Sequence, residues 1–148
     1  MGLQDVDIRK TISAGPAEVF RWLGDSSSWP IWTPIDSHRS IDPGDVAGVG
    51  EIRVFTTGRV RVREEIVERL PDRRLTYVML SGLAVKEYRA VVEVEPAPGG
   101  CELRWHTTFK PKFPGTGWIY RSALTKVTRR FADGLAAQSE GADPSRDT

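Results

Sequence analysis

The sequence predicts an α+β protein of one domain: an antiparallel meander of strands, a short helix near the start and one long helix at the end. Three observations predict it. From about Ile35 to Lys110 apolar residues recur with period two, in runs separated by short turns. Connections this short cannot cross over, so neighbouring strands must run antiparallel. Beyond Gly117 the period changes to three or four residues, the spacing of an amphipathic helix. The 148 residues suffice for one core, with no repeat or linker at which to divide them.

Val6 to Ile12 alternates Val6, Ile8 and Lys10 against Asp7, Arg9 and Thr11, which reads as a first strand. Ser13-Ala14-Gly15-Pro16 ends it. Pro16 fits a first helical position, and Val19, Phe20 and Leu23 follow at helical spacing, predicting a helix over Pro16 to Leu23. Asp25 to Ser28 interrupts, and Trp29-Pro30-Ile31-Trp32 forms a compact aromatic turn.

A weakly patterned strand is expected over Ile35 to Ile41. Glu51 to Thr57 and Arg59 to Glu68 meet at Gly58, a hairpin signal. Strands over Arg74 to Leu80, Lys86 to Glu95 and Cys101 to Lys110 follow, separated by Pro71-Asp72, Ser81-Gly82 and Pro96-Ala97-Pro98-Gly99-Gly100. In the long helix, Gly117 to Gln138, the apolar stripe is Ile119 or Tyr120, Leu124, Val127, Phe131 and Leu135. Some 20 residues at about 1.5 Å each reach roughly 30 Å, enough to lie across a sheet. The domain is expected over residues 1–138, and 139–148, small and polar, as a disordered tail.

Composition narrows the function. Hydrophobic residues at 39% and charged residues at 28% exclude a largely disordered chain. The net charge of +1 gives no reason to expect nucleic-acid binding. No apolar run approaches the 18 to 20 or so residues that span a bilayer, so no integral membrane association is expected. The N-terminal residues lack the pattern of a secretory signal. Cys101 is the single cysteine, which excludes an internal disulfide and a Cys-based zinc site and suits a reducing cytoplasm. No cofactor is expected, since Gly48-x-Gly50 lacks the lysine and the following helix of a phosphate loop. Two separated histidines do not make a metal site. No feature fixes an oligomeric state.

Alternation assigns the faces. Val60, Val62, Glu64 and Ile66 share one side of their strand, opposite Arg59, Arg61 and Arg63. Leu75, Tyr77 and Met79 share a face, as do Tyr88, Ala90, Val92 and Val94, and as do Leu103, Trp105, Thr107 and Phe109. The sheet thus has a wet side and an apolar, aromatic side. One helix is a narrow cover for so broad a surface, which leaves room between them.

Several of these residues fall into a familiar order. Pro16-Ala17-Glu18-Val19-Phe20 follows the first strand, then come Trp29-Pro30-x-Trp32, Gly48-x-Gly50, Arg63-Glu64-x-Ile66, Pro71-x-Arg73-Arg74-Leu75, Trp105 with Phe109, and Pro114-Gly115. Over roughly residues 5 to 137 the chain resembles the polyketide cyclase/dehydrase and lipid-transport family of the START/birch-allergen-like (SRPBCC) superfamily. The resemblance implies a helix-grip fold: a curved antiparallel sheet of six or seven strands wrapped around the C-terminal helix, with two short helices after the first strand. It also implies an elongated cavity for a lipid, polyketide or aromatic metabolite, with Trp32, Phe113 and Trp118 near its mouth. The scaffold carries both carriers and enzymes.

Glu64 is the candidate catalytic residue, a carboxylate among inward apolar neighbours that could act as general acid or base. The competing reading is a salt bridge with an inward arginine such as Arg53. The expected wall of the cavity is Trp29, Trp32, Phe55, Tyr77, Tyr88, Trp105, Phe109 and Trp118, completed by Val62, Met79, Val92 and Leu124. Aromatic faces suit flat or lipidic guests; the alternative is plain core packing, which also accounts for Trp22. His106 falls on the wet face, while the face of His38 is open. Cys101 reads as a buried, inert thiol, and the Arg59, Arg61, Arg63 row as a solvated strand face or a site for an acidic partner. The expected function is binding of a small hydrophobic molecule, as a carrier or sensor or as a cyclase/dehydratase-like enzyme. The alternative is a protein-interaction module with a filled core.

Overall fold

The computed structural model describes residues 3–141. Strand β1 (Gln4–Ile12) leads into helix α1 (Pro16–Leu23), a 3-10 turn at Ser26–Ser28 and the one-turn helix α2 (Trp29–Trp32). Six strands follow: β2 (Ser37–Asp42), β3 (Ile52–Thr57), β4 (Val60–Leu70), β5 (Arg74–Ser81), β6 (Val85–Ala97) and β7 (Gly100–Pro111). Helix α3 (Gly117–Gly141) ends the described chain. The sheet order is β1-β7-β6-β5-β4-β3-β2, antiparallel throughout. The meander runs in sequence order from β2 to β7, and β1 returns to pair with β7. Each expected strand is present, with ends shifted by one or two residues.

The sheet bends around α3. Register shifts interrupt the β4–β5 pairing between Arg63 and Glu64 and again between Ile66 and Glu68, and such bulges add local twist and bend. The inward face follows the alternation: Ile66, Leu75, Tyr77, Ala90, Val92, Val94, Leu103 and Trp105 are all buried. Arg59, Arg61 and Arg63 are exposed on the other side.

Helix α3 is off-centre. It packs on β1 and β7, and against α1 and α2, rather than along the middle of the sheet. Toward its C-terminus it buries Leu135 together with Thr128, Ala132 and Ala136, three small residues that allow close approach. At Gly134 a Cβ would collide with the carbonyl oxygen of Trp32, so only glycine lets α2 seat there. The single apolar stripe expected from Tyr120 to Leu135 is therefore two surfaces. Leu135 and its small neighbours pack on β1, whereas Val127 is 41% exposed and Ile119 48% exposed. The helix also runs three residues past Gln138. Ser139, expected in the tail, is buried, and its hydroxyl donates to the Leu135 carbonyl at 2.7 Å. Residues 142–148 of that tail lie outside the described residues.

Candidate functional site

Because α3 leans toward β1, the other half of the sheet lacks a close cover. A cavity of about 350 Å³ lies there, near the lower end of the size range of small-molecule sites. Strand β3 supplies Phe55, β4 Val62 and Glu64, β5 Tyr77 and Met79, and β6 Tyr88. Helix α3 closes it with Leu124, Val127 and Phe131. The outer rim includes Val60 and Arg130, both exposed.

The inner end is set by Arg53. This residue has no exposed surface, and it faces Glu64 across the β3–β4 ladder. Arg53 Nε donates to Glu64 Oε1 at 3.1 Å, and Nη2 lies 3.0 Å from the same oxygen without hydrogen-bond alignment. Nη1 donates to Ser26 Oγ at 3.0 Å, and Ser26 Oγ donates onward to Glu51 at 2.5 Å. The guanidinium carbon also sits 4.2 Å from the Trp29 ring centroid, 4.6 Å from Phe55 and 4.8 Å from Tyr77. Aromatic faces stabilise a cation most when water is excluded, which helps explain an arginine held this deep.

Charge here is held tightly. Burial pushes the Glu64 carboxyl above its usual range, and the Arg53 charge and hydrogen bond oppose that rise. Burial also raises the Tyr77 and Tyr88 hydroxyls, with the Glu64 charge adding to both, so both phenols stay neutral. Tyr77 accepts a hydrogen bond from Trp105 Nε1 at 3.3 Å.

Seven of the residues expected at the site line this cavity: Glu64, Phe55, Val62, Tyr77, Met79, Tyr88 and Leu124. Six do not. Trp32 and Trp105 belong with Trp29 to a ring cluster, at centroid distances of 4.9 and 5.6 Å from Trp29, which fills the interior beside the cavity. Val92 and Phe109 are fully buried in the core. Trp118 is 66% exposed and lies on an outer surface of α3 with Ile119 and Lys126; Phe113 is likewise exposed and away from the cavity. Alternation decides inward from outward, but it does not separate a ring that bounds a void from one that fills it.

The salt bridge weighed against a chemical role for Glu64 is present, and the carboxylate still lines the cavity. The His38 ring lies tilted against Phe55 at 5.7 Å but does not line the cavity, and burial lowers its pKa. His106 sits on the outer face, 3.3 Å from Asp5. Cys101 is buried, and burial raises its thiol. Ser26 and Arg130 were missed. Ser26 lies in a break between helices and Arg130 on a polar helix face, so neither carries a pattern that marks it.

The family model described as polyketide cyclase / dehydrase and lipid transport matches residues 4–140. The chain belongs to this family. No curated protein matches the chain in sequence. Among solved structures, this family member is similar to a protein from Thermobifida fusca determined by solution NMR, with a TM-score of 0.77 and 26% identity over 94% of this chain and 93% of that one. It is also similar to Ara h 8.0201, with a TM-score of 0.73 and 17% identity over 93% and 98% of the chains. Norcoclaurine synthase from Thalictrum flavum, solved with dopamine and hydroxybenzaldehyde, matches with a TM-score of 0.74 and 17% identity over 96% and 89%. At 17% identity these likenesses speak to the fold of the family member. Among its described residues no group of three or more His, Cys, Asp or Glu could hold a metal, and no helix is long and apolar enough to cross a membrane.

Proposed function

We propose that this member of the polyketide cyclase / dehydrase and lipid transport family binds a small hydrophobic molecule between the sheet and α3, as a carrier or sensor. The observation that carries the reading is the cavity of about 350 Å³, apolar on most of its wall and placed where the helix leaves the sheet uncovered. Burying a guest's apolar surface there is favourable by about 25 cal/mol per Å² before ordering costs. A module acting only through its surface needs no such interior. Norcoclaurine synthase, of the same fold, holds two small aromatic molecules in its solved complex. A cytoplasmic setting fits the single reduced cysteine, Cys101.

Catalysis of the cyclase or dehydratase type is the second reading, favoured by a desolvated carboxylate on the cavity wall. Glu64 would then move a proton on a bound carbonyl compound. Equal turnover by wild type and Glu64→Gln would remove Glu64 from any such step. The binding reading is tested by native mass spectrometry of freshly purified protein. A co-purifying small molecule, released on denaturation, is expected; protein that is bare and also fails to take up added hydrophobic molecules would refute it.

A further inference from the structure

The cavity wall is apolar except for a few groups, and the inner ones are complementary in kind. Glu64 spends Oε1 on Arg53, and Oε2 has no donor among the described residues. The Tyr77 oxygen accepts from Trp105, which leaves its own O–H free to donate. Tyr77 lies diagonally across the β4–β5 pairing from Glu64 on the same face, and both contact the Arg53 guanidinium. Tyr88 adds a second phenol to the wall. Resting on the reading that the cavity holds a hydrophobic guest, we propose that its inner end takes a neutral hydroxyl group, the head of an otherwise apolar alcohol or phenol.

A hydroxyl has one proton to give and lone pairs to receive. Its O–H donates to Glu64 Oε2, and its oxygen accepts from the Tyr77 hydroxyl. Other head groups fit worse. A carboxylate would bring a second negative charge against Glu64 in a dry site. An ammonium would meet the buried Arg53 charge, which already neutralises Glu64. An ether or a bare hydrocarbon would leave Oε2 desolvated with no donor, a cost of the order of one hydrogen bond to a charged group. The rest of the wall, Phe55, Val62, Met79 and Leu124, then encloses the apolar body.

The test compares three probes of one skeleton by calorimetry at pH 7.5: 2-naphthol, 2-methoxynaphthalene and 2-naphthoate. The wild type is expected to bind 2-naphthol about tenfold more tightly than the other two, as one charge-assisted hydrogen bond requires. Tyr77→Phe and the double variant Arg53→Met/Glu64→Leu, which exchanges the ion pair for apolar groups of similar size, should each shrink that preference while still binding 2-methoxynaphthalene. Equal affinity for all three probes in the wild type, or a preference for 2-naphthoate, overturns the head-group assignment and leaves the cavity reading standing. Binding of none of the three overturns both.

Discussion

Arg53 and Glu64 pair across adjacent strands at 3.0–3.1 Å, both buried, with the guanidinium enclosed by Trp29, Phe55 and Tyr77. Removing one partner of such a pair strands the other. Arg53→Met is therefore expected to cost about 3–5 kcal/mol at neutral pH. Below the Glu64 pKa the stranded carboxyl is protonated, so the cost should shrink in acid. Urea unfolding at two pH values reads both; a cost under 1 kcal/mol at neutral pH, or one that grows in acid, would count against the pairing.

The Glu64 carboxyl has a raised pKa, chiefly from burial. A raised carboxyl binds its proton more tightly in the folded chain than in the unfolded one. Its favourable contribution is present in full below the unfolded value of 4.5 and is lost as pH rises through the folded value. Glu64→Gln lacks this titration. Relative to the wild type, the Gln variant should gain stability as pH rises through that window. The opposite slope would mean that Arg53 outweighs burial and holds the carboxyl low.

Two tryptophans should behave oppositely. Trp29 is buried and touches Trp32, Phe55, Tyr77, Trp105 and Phe131; Trp29→Ala is expected to cost about 3–5 kcal/mol. Trp118, exposed on α3, should change stability by less than about 0.5 kcal/mol when replaced by alanine. Thermal unfolding distinguishes them. A large loss in Trp118→Ala would place that ring inside the fold after all.

Gly134 holds α2 against α3, because any Cβ there meets the Trp32 carbonyl. Gly134→Ala exchanges a poor helix former for a good one, which alone would stabilise α3. The collision should reverse the sign and destabilise by about 1–3 kcal/mol. A more stable alanine variant would show that the two helices do not touch there.

The sheet was legible because period two is a strong signal over strands as long as β6 and β7, and their turns are marked by Gly and Pro. Glu64 was legible as the one carboxylate on an apolar face, and Arg53 as its possible partner. The division between wall and core was not. Trp105 and Tyr77 have the same alternation and face the same way; what separates them is where α3 settles. That depends on Thr128, Ala132, Gly134 and Ala136, which pack closely because they are small. A reading that follows large apolar residues along the helix passes over them. Position in the chain points Trp118 to a mouth, and it lies outside because the first turn of α3 directs it to solvent.

Uptake of anilinonaphthalene sulfonate, read by its fluorescence in the folded wild type and in Val62→Trp, bears most directly on the cavity. Val62 lines the space near the start of β4 and is half-buried, so an indole there fills the volume without entering the packed core. The wild type should brighten the dye saturably and Val62→Trp should not, with both proteins unfolding cooperatively. Equal brightening by the two would mean that the dye binds elsewhere and that the space beneath α3 holds no guest.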